Sequence, residues 1–242
     1  MLRQRRLPGT IPIRRTLPLN SRRLHDSHSS LVFSEEMRGH LRWIEQKHRM
    51  GQDMILLGLP TSLKRRLVVK IAELNGWDVE YLAITRDTTE SDLKQRREIV
   101  GNTVVYTDQP PVRAAINGSI LILDGIENAE RNVLPTLNNL LENREMSLDD
   151  GRFLTKPPQN PHDLAGDTNH LVYVHKNFRV IALGLPVPPF SGRSLDPPLR
   201  SRFQCRFVDE PTSGNLLSVS DSSSIGFEKL QGLINFYEVN IS

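Results

Sequence analysis

Across residues 34–50, apolar side chains recur every three or four positions: Met37, Leu41, Ile44 and the stem of Lys47 share one side. That spacing predicts an amphipathic helix, and Gly51 is a natural stop. The period then shortens. Residues 53–57 (DMILL) read as a strand running into Gly58-Leu59-Pro60. A second helix is expected over about 62–75, with Leu67, Ile71 and Leu74 inward and Gly76 at its end. Residues 79–84 read as another strand, and 86–92 as a polar turn with helix caps available at Thr89 and Ser91. Residues 104–106 fit a short strand. Residues 119–123 (SILIL) form an unbroken apolar run of the kind a parallel sheet buries on both faces. A helix follows over about 130–142, with Pro135 early enough to be tolerated or to kink it. Residues 146–153 suggest a hairpin turning at Asp149-Asp150-Gly151, residues 155–170 a loop, and residues 178–183 and 203–208 the last strands. Strands alternating with helices predict an α/β fold with a mostly parallel sheet flanked by helices.

Composition refines this picture. A chain of 242 residues with 38% hydrophobic content suits one globular domain of ordinary size with tails to spare. No apolar run approaches the roughly 18 residues that span a bilayer. The single cysteine, Cys205, excludes an internal disulfide framework or a Cys-rich zinc module, and suits a reducing compartment or a mitochondrial matrix. Seven arginines and no acid stand in residues 1–25; taking those seven charges from the formal net charge of +3 leaves −4 for residues 26–242. The basic character therefore belongs to one end. Residues 1–30 have the Arg-rich, Ser-containing, acid-poor make-up of a mitochondrial targeting segment, although Pro8, Pro12 and Pro18 oppose one long helix. A disordered tail or a basic nucleic-acid-binding arm shares that composition. With 6% aromatic residues the chain offers few stacking platforms, so nucleic acid is not an expected partner. The histidines show no zinc spacing, and no G-x-S-x-G turn frames a serine nucleophile.

Chemistry concentrates after the first core strand. A strand, a loop opening with glycine and a lysine at a helix start make a phosphate cradle, because the helix N-terminus offers amide donors and the lysine a point charge. Against G-x-x-x-x-G-K-[ST] the chain reads Gly58-Leu59-Pro60-Thr61-Ser62-Leu63-Lys64-Arg65. Gly58 and Lys64 match. Leu63 replaces the second glycine, and Arg65 replaces the hydroxyl residue that holds magnesium. An ordinary strand-to-helix turn with a basic first helical turn reads the same way. The second element is Asp124, at the end of the apolar run, where phosphate-loop enzymes place the aspartate of the magnesium shell. Gly125 stands where a water-polarising glutamate is usual. Glu127 would point to the same side if the chain stays extended; it is otherwise a first-turn acid favoured by a helix dipole. The third is Leu195-Asp196-Pro197-Pro198-Leu199-Arg200-Ser201-Arg202-Phe203, a turn presenting two arginines before the last strand. Either Arg200 or Arg202 could reach a γ-phosphate held by a neighbouring subunit, or serve as a surface salt bridge.

With residues 84–98 (ITRDTTESDLKQRRE), 128–154 and 178–188 added to these, the chain resembles the AAA+ ATPases of the dynein-related, midasin and MoxR type over about residues 35–208. The resemblance implies a phosphate-loop core that binds ATP with Mg²⁺ at a subunit boundary and assembles with other AAA+ modules, or with itself, into a ring. It implies a Walker A loop from Gly58 to Arg65, a Walker B aspartate and metal ligand in Asp124, and an arginine finger in Arg202 or Arg200. Glu127 is then the candidate catalytic acid. The polar sensor that the family places after the strand at 178–182 is absent from Leu183-Gly184-Leu185-Pro186. With both Walker motifs degenerate, hydrolysis is expected to be weak or absent, and a non-hydrolysing assembly subunit is the alternative. Lys94, Arg96 and Arg97 could line a ring pore or touch nucleic acid; a solvated helix face with Glu98 as partner is the plainer reading. The expected organisation is a targeting segment (1–30), the α/β core (31–210), and a Ser-rich linker with a short helical tail (211–242) too small for the family's helical lid.

Overall fold

The structure is a computed structural model that describes residues 35–131, 133–158 and 170–209. The expected targeting segment and the expected linker and tail lie outside the described residues, as does most of the loop expected at 155–170.

Helix α1 (Glu35–Arg49) forms on the three-to-four-residue repeat and buries Met37, Leu41 and Ile44. Strand β1 (Met54–Gly58) is almost wholly buried, and α2 (Leu63–Asn75) returns with Leu67, Val68 and Ile71 inward. Leu74, expected inward, is 64% exposed on the last turn of α2. Strand β2 (Val79–Ala83) leads to the single turn α3 (Glu90–Leu93), with Thr89 at its N-cap position and the Asp92 carboxylate accepting the Thr89 N–H at 3.0 Å, the returning half of a capping box.

Residues 95–98 are not a helix face: Lys94 closes the α3 turn, and 95–98 belong to β3 (Gln95–Val100), which pairs antiparallel with β4 (Thr103–Asp108). The reason lies in the turn: Gly101 and Asn102 both take positive φ (54° and 71°), which suits a two-residue hairpin between strands of natural twist. Gln95, 1% exposed, fixes the hairpin base by donating to Asp108 at 2.6 Å and to Asp150 at 2.9 Å. Helix α4 (Pro110–Asn117) was not expected from periodicity, although its ends carry the proline-first, glycine-last signature: Pro110 opens it and Gly118 closes it at φ 78°.

Strand β5 (Ile120–Asp124) is the buried apolar run. Helix α5 (Leu134–Glu142) begins four residues later than expected and holds Pro135 in its first turn, where no intrahelical donor is needed. Strands β6 (Met146–Ser147) and β7 (Phe153–Thr155) form the expected hairpin, with Gly151 at φ 88° in the turn. Strand β8 (Leu171–Tyr173) then pairs parallel with β7, adding a strand that composition did not reveal. Strand β9 (Arg179–Gly184), the short helix α6 (Pro197–Ser201) and β10 (Gln204–Val208) complete the described chain.

The central sheet has five parallel strands in the order β10-β1-β9-β5-β2. Strand β1 lies between β10 and β9, while β2, next in the chain, sits at the far edge. In open parallel sheets, ligands bind at the carboxyl ends of strands beside such a switch of direction. The register puts Leu57 opposite Gly184, and Asp124 opposite Leu183, so the ends of β1, β5 and β9 share one rim. At the other end Asp53 accepts the Val180 N–H at 2.8 Å and pairs with Arg144 at 2.8 Å. Burial pushes its carboxyl up, and Arg144 opposes that shift.

Candidate functional site

The site begins where β1 runs out. A Cβ on Gly58 would stand 2.5 Å from the Val208 carbonyl oxygen, so the close approach of β10 admits only glycine there. The chain then turns tightly, the Thr61 N–H donating to Leu59 O at 2.7 Å, and enters α2 at Leu63. Ser62 precedes the helix without a side-chain cap. Lys64 is buried, and its Nζ donates to the carbonyls of Gly58 at 2.9 Å and Leu59 at 2.5 Å. A buried ammonium requires oxygen partners, and the loop's own carbonyls supply them.

Arg65 reaches past the end of β9 to the end of β5. Its Nε donates to Asp124 Oδ2 at 3.0 Å, and its terminal nitrogen makes a second, short bond to the same oxygen. Tyr81, on β2, donates its hydroxyl to that oxygen at 2.7 Å, and the guanidinium lies 5.2 Å from the Tyr81 ring centre. Burial first, then the bond to Asp124, push the Tyr81 hydroxyl up to about 12. The Asp124 carboxylate likewise raises the guanidinium of Arg65.

After Asp124 the chain does not stay extended. Gly125 takes φ 83°, and residues Ile126–Asn128 form a 3₁₀ turn. Glu127 nevertheless reaches the same side, because the turn folds it back under the rim. It is 6% exposed, and its Oε2 accepts the Leu185 N–H at 3.2 Å. Two glycines make room for it: a Cβ at Gly192 would lie 2.9 Å from Glu127 Cγ, and one at Gly184 would lie 3.3 Å from Oε2.

These groups enclose a cavity of about 230 Å³. Of the loop, Pro60, Thr61, Lys64 and Arg65 line it, together with Asp124 and Glu127; Gly58, Leu59, Ser62 and Leu63 do not. Leu63 therefore does not plug the space. Arg200 and Arg202 stand apart: Arg200 is exposed on α6, and Arg202 pairs with Glu142 at 2.5 Å. Sequence reasoning missed Tyr81 and the Leu185 amide. Tyr81 is legible in hindsight as a hydroxyl two residues before Ala83, which the register places opposite Asp124. The amide has no sequence signal.

The donor set suits a phosphate anion better than a metal. A helix start, a lysine and an arginine converge on the cavity, whereas the Asp124 oxygen is engaged by Arg65 and Tyr81 and position 65 carries no hydroxyl. A Mg²⁺ donor set is not assembled from these residues. Among the described residues no cluster of three or more His, Cys, Asp or Glu side chains could hold a metal ion.

A parallel sheet in this strand order, with a glycine-opened loop, a lysine and an aspartate on its rim, defines an ATPase-type module of the AAA+ class. The sequence profile of the AAA domain (dynein-related subfamily) matches residues 53–203, and the chain belongs to that family. Among known proteins it is 47% identical over 236 residues to von Willebrand factor A domain-containing protein 8 of Mus musculus, a match covering 94% of this chain and 12% of the mouse protein. It is 28% identical over 182 residues to protein NorQ of Paracoccus denitrificans (strain Pd 1222), covering 74% of this chain and 62% of NorQ. Against midasin of Giardia intestinalis it is 27% identical over 161 residues, covering 64% of this chain and 3% of midasin. The chain thus spans less than two thirds of each of these relatives. A crystal structure of a candidate ATPase from Cytophaga hutchinsonii ATCC 33406 shares the fold, with a TM-score of 0.54 at 18% identity over 81% of this chain and 53% of that one. No helix among the described residues is long and apolar enough to cross a membrane.

Proposed function

We propose that this chain is an ATP-binding AAA+ module with degenerate Walker A and Walker B motifs and little or no hydrolysis of its own. The observation that carries the reading is the cavity at the strand ends, where Lys64, Arg65, Asp124 and Glu127 face one another behind the glycine-opened loop. An incoming phosphate chain would draw Lys64 from the Gly58 and Leu59 carbonyls, exchanging two neutral acceptors for a charged one, a stronger bond. The first-turn amides of α2 add donors and a positive dipole end. Glu127, the cavity's second acid, is our candidate for orienting water; its bond to the Leu185 amide holds it back from that task. Arg202 or Arg200 would serve a neighbouring module's phosphate, since neither lines this cavity.

A titration of the purified chain with ATP, run beside Lys64→Ala, tests the reading. We expect saturable binding in the wild type and at least about a tenfold loss in the variant, the scale of one charge-assisted contact. Equal, negligible binding in both would leave only the second reading, a non-hydrolysing assembly subunit. That reading draws support from the engagement of both Asp124 and Glu127 within the chain. Steady-state phosphate release should stay near background; robust release abolished by Asp124→Ala would overturn the claim of weak hydrolysis. We also propose import into mitochondria, supported by the seven arginines and absent acids of residues 1–25. A tagged chain lacking those residues should remain cytosolic, and unchanged mitochondrial signal would rule the idea out.

A further inference from the structure

Arg65 reaches Asp124 with two donors on one carboxylate oxygen. We propose that the module binds its triphosphate ligand without a divalent metal, the Arg65 guanidinium standing between the phosphates and Asp124 where a metal ion would stand. The inference rests on the nucleotide reading above and deepens it.

Three observations converge. First, position 65 falls one residue after the cradle lysine, at the start of α2, and the side chain it supplies has donors only; a guanidinium has no lone pair to offer a metal and stays charged at every working pH. Second, the Asp124 oxygen that faces the loop already accepts from Arg65 Nε at 3.0 Å and from the Tyr81 hydroxyl at 2.7 Å. A dication there would displace both donors and then face the arginine's charge at close range. Third, the other acid of the cavity is held by the backbone: Glu127 is buried, its Oε2 accepts from the Leu185 amide, and Gly184 and Gly192 pack against it. The Arg65 side chain, by contrast, is 49% exposed, so its fork is at the surface of the cavity and within reach of an incoming anion. A planar guanidinium pairs with phosphate oxygens two at a time, which a single ammonium cannot do.

Calorimetric titration of the full 242-residue chain with ATP, in one arm with EDTA and in the other with excess MgCl₂, tests this. The expected result is a wild-type Kd that agrees within about threefold between the arms. Arg65→Thr restores a hydroxyl and releases Asp124; in that variant Mg²⁺ should tighten binding by about tenfold or more, while Arg65→Lys should stay indifferent to the metal. Circular dichroism confirms folding of the variants, and the wild-type arms decide the matter even if Arg65→Thr does not fold. Wild-type binding tightened about tenfold or more by Mg²⁺ would overturn the inference while leaving the nucleotide reading intact. Silence in both arms would instead overturn the nucleotide reading, and the inference with it.

Discussion

Gly58 shows how one backbone position couples the sheet to the site. Its missing Cβ would meet the Val208 carbonyl at 2.5 Å, and that carbonyl belongs to a strand paired with β1 from Met54 to Gly58, so it cannot retreat without breaking the ladder. Gly58→Ala should therefore lower stability by about 1–3 kcal/mol, the usual range for forced overpacking, measured by urea unfolding. An unchanged midpoint would mean that β10 does not approach β1 as described. Lys64 sits next to this contact, its Cδ 3.7 Å from the same hypothetical Cβ, so a shift at position 58 would also disturb the ammonium's seat. Arg65 illustrates the limit of motif reading at this scale. Its identity announced a lost metal hydroxyl; that it would lie on Asp124 with Tyr81 beside it depended on the side chain's reach across two strands.

At the scale of elements, α1 is held to the edge strand β10 by a contact that depends on proton binding. Arg206 Nε donates to His40 Nδ1 at 2.7 Å, and the guanidinium lies 5.5 Å from the Trp43 ring centre. Burial, then the charge of Arg206, lower the His40 pKa from its ordinary value of 6.5. His48, stacked on Trp77 at 3.9 Å, is lowered by burial and by Arg179. Both imidazoles take up protons more readily in the unfolded chain. Stability from this pair is therefore full above the ordinary histidine pKa and is lost as pH falls through it. The melting temperature should drop between about pH 7.5 and about pH 5.5, and His40→Gln, which retains an acceptor but cannot titrate, should reduce the drop. A pH-independent melting curve would contradict the neutral seating of these rings. The hairpin of β3 and β4 belongs to this scale too. Its residues 95–98 have helix-compatible charges, but Gly101-Asn102 supplies the two positive-φ positions that close a tight turn, and the β-branched Ile99, Val100, Val104 and Val105 favour extended pairing.

For the molecule as a whole, the strand order separates two kinds of arginine. Arg65 comes from α2 beside β1 and lands inside the chain's own cavity, whereas Arg202 ends α6 and pairs with Glu142 of α5, outside that cavity. Arg202→Ala should leave the chain's own ATP affinity unchanged within about twofold in the titration described above. A larger loss would place Arg202 in the module's own site rather than a neighbour's. The relatives extend far beyond this length, the chain covering 12% of the mouse protein, so what an assembled ring would do with such a module is a separate question from what one module binds.

Hydrophobic period and turn chemistry, both local properties, determined the α/β class, the placement of all five core strands within a residue or so and the position of the glycine-opened turn ahead of a lysine-bearing helix. Apolar runs such as residues 120–123 have one economical fate, burial between helices, and a glycine-opened turn before a lysine-bearing helix needs no distant partner to be recognised. The β8 strand, the hairpin register and the mutual engagement of Arg65, Tyr81 and Asp124 were decided only in three dimensions. The physical reason is that these depend on which strand ends the crossovers bring to one rim. Glu127 is the sharpest case: its approach to the cavity was anticipated for an extended chain, and it is reached instead through the positive φ of Gly125 and a 3₁₀ turn, with a backbone amide from β9's exit as its partner.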